Sequence, residues 1–236
     1  ERFVGTPYAP HTLEVEGEEG LVIELEELDC VTFVENVLAL ARFVRSVPEA
    51  MLDDQMGRHR PFYAGILQNI RYRDGNLDGY SSRLHYFSEW ITNKDAMGLV
   101  RDLSQELGGV ADHELIDFMT THPDAYRQLG EDPVFLPALQ EIEARLGSKP
   151  RHYIPEDWIA EVAHRIQDGD IIAATSTVAG LDIAHTGIAL WRGRQLRLLH
   201  APLVGGVVQV SELSLADRIQ RIGGQDGIMV ARPLDP

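Results

Sequence analysis

The sequence predicts an α+β protein, and three observations carry that reading. A helix-periodic run, CVTFVENVLAL, starts at Cys30 directly after an aspartate. The middle of the chain repeats helical patterns, and the last third switches to short strands. With 236 residues, 44% of them hydrophobic, the chain can bury a sizeable core without disulfide or metal staples.

The elements follow in order. GTPYAPHT, punctuated by glycine and proline, leads into a charged segment and then into the first helix. Asp29 is a preferred N-cap type, which puts Cys30 at the first helical position and Leu28 and Phe33 at the two staple positions. From about residue 49 to 167 the signals are mostly helical. DHELIDFMTTHPDAYRQL, DPVFLPALQEIEARLG and PEDWIAEVAHRIQ space apolar residues by three and four and begin at proline or aspartate. We read this stretch as an insertion within one domain spanning residues 1–236. GDIIAATS, HTGIALW, QLRLLHA, GVVQVSEL and GIMVARP then predict an antiparallel meander.

Composition excludes some partners. Acidic residues outnumber basic ones 37 to 21, a net charge of -16, which disfavours nucleic acid and anionic lipid surfaces. No run of 18 apolar residues offers a membrane span, and no basic-then-apolar leader precedes Glu1, an absence that says little about export. The single cysteine can form neither an internal disulfide nor a cysteine-ligated zinc site. No metal or cofactor is expected, and the chain is expected to be a monomer.

Cys30 is the chemically interesting residue. A thiol at a helix start faces unpaired N–H groups and the positive end of the macrodipole, which favour a thiolate and can stabilise an oxyanion. The expectation is a thiol that ionises below the usual value of about 8.5. Free cysteine is also among the most buried residue types, so local context leaves packing and chemistry both open. Of nine histidines, His185 and His200 stand apart, on consecutive predicted strands. If Arg192 and Gly193 form the hairpin loop, His185 faces His200 on one side of the sheet, as a base and its orienting partner would. A bulged three-residue loop would flip one of them, and paired core or zinc-binding histidines are the alternative. In SSRLHYFSEW, Arg83 and His85 offer donors and Tyr86 and Trp90 flat faces suited to a sugar, against an amphipathic helix with its aromatics in the core. Asp182 is either a rim contact or an ordinary turn acid.

LDCVTFVE, DGDIIAAT, HTGIAL and LLHAP, in this order, resemble the NlpC-type cell-wall cysteine peptidases. GTPYAPHT, IRYRDG, SSRLHYFSEWI, YIPEDWI and GLDIAHTGIAL are similar to the branch of that clan acting as N-acetylmuramoyl-L-alanine amidase, so the resemblance runs from residue 5 to about 232. It implies a papain-like core, in which an antiparallel sheet packs against the helix carrying the cysteine. It also implies Cys30 as nucleophile, His185 as general base and acid, His200 as the orienting third member and Tyr8 beside the cysteine. Asp29, Arg83, His85, Tyr86 and Asp182 become candidate substrate contacts, and the helical insertion the sugar-side wall.

One departure is informative. Peptidases of the clan that cut inside the stem peptide read Asp-Cys-Ser-Gly, where the polar residues hold a free amino end. Here Val31 follows Cys30 and can neither donate nor accept through its side chain. The resemblance therefore points to the amide between muramic acid and L-Ala of peptidoglycan fragments, in a bacterial periplasm or envelope. The alternatives are a γ-D-glutamyl-diaminopimelate endopeptidase, an inactive peptidoglycan-binding module, and a zinc hydrolase built on the two histidines.

Overall fold

The computed structural model describes residues 1–47, 57 and 59–236. Its frame is an eight-stranded antiparallel sheet: β1 (Val100–Asp102), β2 (Val110–Asp112), β3 (Arg151–Pro155), β4 (Ile171–Ser176), β5 (Ile183–Arg192), β6 (Gln195–His200), β7 (Gln209–Val210) and β8 (Gln225–Pro233). The spatial order is β2-β3-β8-β4-β5-β6-β7, and β1 shares the outer edge of β8 with β3.

Strands β4 to β7 run as the expected meander, but GIMVARP does not continue it. Helix α8 (Leu215–Arg221) carries the chain back, and β8 pairs with β4 on the far side. Burial explains the placement. Every residue of β4 and the central five of β8 are buried, so these strands need cover on both faces and take the middle of the sheet.

Alternate residues serve the two faces. Ile171, Ala173, Ile188 and Leu199 face α1 (Cys30–Ser46) and α2 (His59–Arg71), while Ile172, Ala174, Ala189 and Leu198 meet α8 and the short helix α7 (Ile159–Val162). Arg71 of α2 pairs with Glu35 of α1 at 2.7 Å, both side chains at most 2% exposed. A second Arg71 nitrogen donates to the Val22 carbonyl, which pins the acidic segment before α1 to both helices.

The middle region is helical in the main. Its expected start at residue 49 lies outside the described residues. Beyond α2 it contains α3 (Phe87–Ala96), α4 (Phe118–Thr121), α5 (Arg127–Glu131), α6 (Leu136–Gly147) and α7, yet β1, β2 and β3 also come from it and join the main sheet. Tyr80, Tyr86, Met119 and Leu139 centre a separate small core among its helices.

Candidate active site

Asp29 starts α1 with two reciprocal bonds. Its carboxylate accepts from the Thr32 amide at 2.7 Å, and its own amide donates to the Thr32 hydroxyl at 2.9 Å. The amides of Cys30 and Val31, first in the helix, donate to no backbone carbonyl among the described residues, and the Cys30 amide faces its own sulfur. Cys30 therefore sits at an open helix N-terminus.

The histidines arrive from the sheet. Residues 193 and 194 form the hairpin loop, with Arg192 paired to Gln195. Gly193 has φ 61 and Arg194 has a negative φ, as a type II′ turn asks, so the arginine avoids the strained positions of a type I′ turn. The loop lies one residue later than the sequence count placed it. That moves the register by two residues and keeps both histidines on one face. His200 is thus a diagonal neighbour of His185 rather than its direct opposite, and His185 Nε2 lies 2.7 Å from His200 Nδ1.

Thr186, next to His185, joins strand to helix through a 2.7 Å bond from its hydroxyl to the Cys30 carbonyl. Gly187, two residues after His185, permits the close approach of β6. A Cβ there would stand 2.8 Å from the Leu198 side chain and from the Leu199 carbonyl oxygen.

The protonation states differ from the sequence expectation. Burial, and then the neighbouring Asp29 carboxylate, push the Cys30 thiol up to about 11, while hydrogen bonds from Thr186 and its own amide pull the other way. The helix end does not prevail, because the half-buried thiol lies under packed groups and beside the Asp29 carboxylate. Burial, then Arg218, lowers His200 to about 3. Burial first, then His200 and Arg218, hold His185 well below its usual value. These shifts favour the neutral form of the Cys30 thiol and of both imidazoles at neutral pH. Tyr8 is half-buried, bridged to Leu28, and its phenol is pushed up to about 12 by burial, then by Cys30 and Asp29, so it is a donor throughout the neutral range.

Two clefts are bordered by neighbours of Cys30 or by the histidines, and Cys30 itself lines neither. One, of about 140 Å³, is lined by its chain neighbours Asp29 and Val31 together with Arg83, His85 and Tyr126. The other, of about 610 Å³, is lined by His185, His200 and Arg218. No three His, Cys, Asp or Glu side chains are grouped to hold a metal among the described residues.

Over residues 1–225 the chain matches the family model described as AmiA-like, N-acetylmuramoyl-L-alanine amidase-like. It belongs to this family. A Bacteroides uniformis structure described as an N-acetylmuramoyl-L-alanine amidase shares the fold at a TM-score of 0.90 and 38% identity, over 98% of this chain and 95% of that one. A Bacteroides fragilis structure described as a xylanase matches at 0.86 and 38%, over 98% and 97%. A Legionella pneumophila protein at 23% identity shares the fold at 0.70, over 100% of this chain and 87% of that one. No curated protein matches the chain.

Within this amidase-like frame, several expected substrate contacts prove to be structural. Tyr86 is 2% exposed; its hydroxyl donates to Glu143 at 2.7 Å and accepts from the Met119 amide, so it turns into the helical core and offers no face to a sugar. Trp90 is fully buried and stacks on Phe87. Asp182 is neither rim nor turn acid: it is buried and accepts from the amides of Ser88 and Ile183, each at 2.7 Å, tying the start of α3 to β5. Arg83 lines the smaller cleft but directs one nitrogen to Glu14 and another to the Leu13 carbonyl, which anchors the acidic segment instead of a ligand. His85 lines the same cleft, with Nε2 2.9 Å from the Tyr80 carbonyl oxygen. Asp29 caps α1 and also borders this cleft. Sequence reasoning missed Thr186, Gly187 and Arg218. A glycine inside the HTGIAL strand pattern was the available signal for Gly187, whereas Arg218 has no local signature.

Proposed function

We propose that this chain is a cysteine-dependent N-acetylmuramoyl-L-alanine amidase with a papain-like, NlpC-type site, acting on peptidoglycan fragments in the bacterial envelope. The observation that carries the reading is the 2.7 Å His185–His200 pair, held one residue from the threonine that binds the Cys30 carbonyl.

The chemistry follows from the neutral resting site. His185 carries its proton on Nε2 and donates it to His200 Nδ1, which leaves Nδ1 of His185 free to accept the thiol proton. As the sulfur attacks the lactyl carbonyl of muramic acid, that proton passes to His185. The Cys30 and Val31 amides, with the Tyr8 hydroxyl, meet the developing oxyanion. Collapse expels the L-Ala nitrogen, which takes the proton back from His185. The muramoyl thioester is then hydrolysed by a water that His185 deprotonates, regenerating the thiol. Charge separation is confined to the reacting state, because the thiol's raised value and the lowered imidazoles disfavour a resting ion pair.

The smaller cleft is lined by Glu14, Asp29 and Glu35 as well as Val31, so the choice of bond leans on the family match. A further observation separates this reading from a glycosidase. Cleavage of a glycan such as xylan calls for two carboxyl groups across the bond, and the larger cleft is lined by one acidic residue, Glu212.

The test is mass spectrometry of products from an anhydro-disaccharide-tetrapeptide and from the same tetrapeptide without sugar. Intact disaccharide plus intact tetrapeptide, with the sugar-free peptide uncut, is expected. L-Ala-D-Glu as the main product would replace this reading with an endopeptidase.

A further inference from the structure

Arg218 lines the same cleft as the histidine pair, and its environment is unusual. The residue is 8% exposed, yet its side chain's one hydrogen bond among the described residues runs from Nη1 to Gln225 Oε1 at 3.3 Å. No carboxylate pairs with it among the described residues, and Glu212, the single acid lining the cleft, forms no ion pair with it. The other buried arginines behave differently: Arg71 is matched to Glu35, and Arg83 to Glu14 and Glu19. Its other guanidinium nitrogens are not among the buried unpartnered atoms, so they open onto the cleft, and a guanidinium fork with open donors suits a planar anion.

Which half of the substrate reaches it follows from the mechanism. The group that protonates the leaving nitrogen is His185, so the leaving peptide lies on the histidine side of Cys30, in the larger cleft. The residue after L-Ala in a stem peptide is a γ-linked D-glutamate, whose α-carboxylate is free because the chain continues through the side-chain carboxyl. One extended residue and two further bonds separate that carboxylate from the cleaved nitrogen, on the order of 6 Å.

We propose that Arg218 is the specificity residue that binds the free α-carboxylate of the stem peptide's γ-linked D-glutamate. The assignment rests on the amidase reading given above. Burial lowers the Arg218 guanidinium, which Cys30 partly offsets, and Arg218 in turn lowers both histidines. Geometrically, Arg218 shares the larger cleft with His185 and His200, so a substrate seated there meets all three. Ser214 caps α8 through the Asp217 amide, and Gln225 at the start of β8 holds one arginine nitrogen, so the side chain is aimed before substrate arrives. The apolar Leu203 and Val204, 70% and 86% exposed, line the same cleft and would cover the peptide's aliphatic carbons.

The test separates this assignment from the reaction. Cys30→Ala protein is titrated calorimetrically with the free tetrapeptide L-Ala-γ-D-Glu-diaminopimelate-D-Ala and with its glutamate α-amide. The carboxylate form should bind about 10- to 100-fold more tightly, the range for a hydrogen bond to a charged group. In Cys30→Ala/Arg218→Gln the two peptides should bind equally weakly, and Cys30→Ala/Arg218→Lys should keep part of the preference. Equal binding of the two peptides to Cys30→Ala protein, no binding of either, or an undiminished preference after Arg218→Gln each overturns the proposal. Product analysis with the unmodified enzyme is independent: cleavage at the γ-glutamyl bond would sink the amidase reading while the titration still reports on Arg218 as a carboxylate site.

Discussion

Acidification from about pH 7 to about pH 4.5 should destabilise the fold, and a measurable share of the loss should belong to His200 alone. Burial and the Arg218 charge hold this imidazole at about 3, whereas an unfolded chain returns it to its usual value of about 6.5. Between those values the unfolded state binds a proton that the folded state refuses. The contribution is complete above 6.5 and is lost as pH falls toward 3. A single proton at about 1.36 kcal/mol per pH unit, integrated over this interval, amounts to about 2.5 kcal/mol. That is a large fraction of a typical stability of about 5–15 kcal/mol. His200→Gln keeps an amide beside His185 but cannot titrate. Urea unfolding of both proteins at both pH values gives the difference directly. The variant should lose about 2.5 kcal/mol less than the parent on acidification. Parallel losses would refute the claim that His200 is buried neutral. Activity should follow the same groups, with the acid limb of kcat/KM well below pH 6.5.

Three other perturbations probe neighbouring parts of the account. Iodoacetamide should alkylate native Cys30 with a midpoint near pH 11 that drops to about 8.5 on unfolding; a native midpoint under 8.5 would mean that the helix end outweighs burial and Asp29. Gly187→Ala should push β6 away from β5, costing about 1–3 kcal/mol and at least tenfold in turnover, so a variant with parental melting and rate would contradict the close-approach argument. Tyr86→Phe should cost about 1–3 kcal/mol by stripping Glu143 and the Met119 amide of a partner while leaving KM unchanged; unchanged stability with a raised KM would return Tyr86 to the substrate.

What was legible in the sequence was mostly local. Asp29, Leu28 and Phe33 announce a helix start through spacing alone, and the structure adds Thr32 to the cap. The histidine pairing survived an error in the hairpin loop because a loop displaced by one residue changes register by two, which preserves the face. The return of β8 to β4 was not legible, since a strand's pattern reports how deeply it is buried and not which neighbour it takes. Nor was the fate of the polar residues in the middle region. Whether Arg83, Tyr86 or Asp182 faces a cleft depends on Glu14, Glu143 and Ser88, which lie distant in sequence. Cys30 shows the same divide: its helix position can be read from Asp29, but the depth that raises its ionisation comes from tertiary packing. Arg218 arrives from a crossover helix that only the folded sheet places beside the histidines.

The central claim is that Cys30 attacks the muramoyl carbonyl and holds the sugar half as a thioester. Acid quenching of the enzyme during turnover of an anhydro-disaccharide-tetrapeptide, followed by intact-mass and peptide-level mass spectrometry, tests nucleophile and bond together. The account predicts an added mass equal to the anhydro-disaccharide lactyl acyl group, carried on the peptide containing Cys30 and absent from Cys30→Ala. An adduct with the mass of an L-Ala-γ-D-Glu acyl group, or full turnover by Cys30→Ala with no adduct at all, would contradict it.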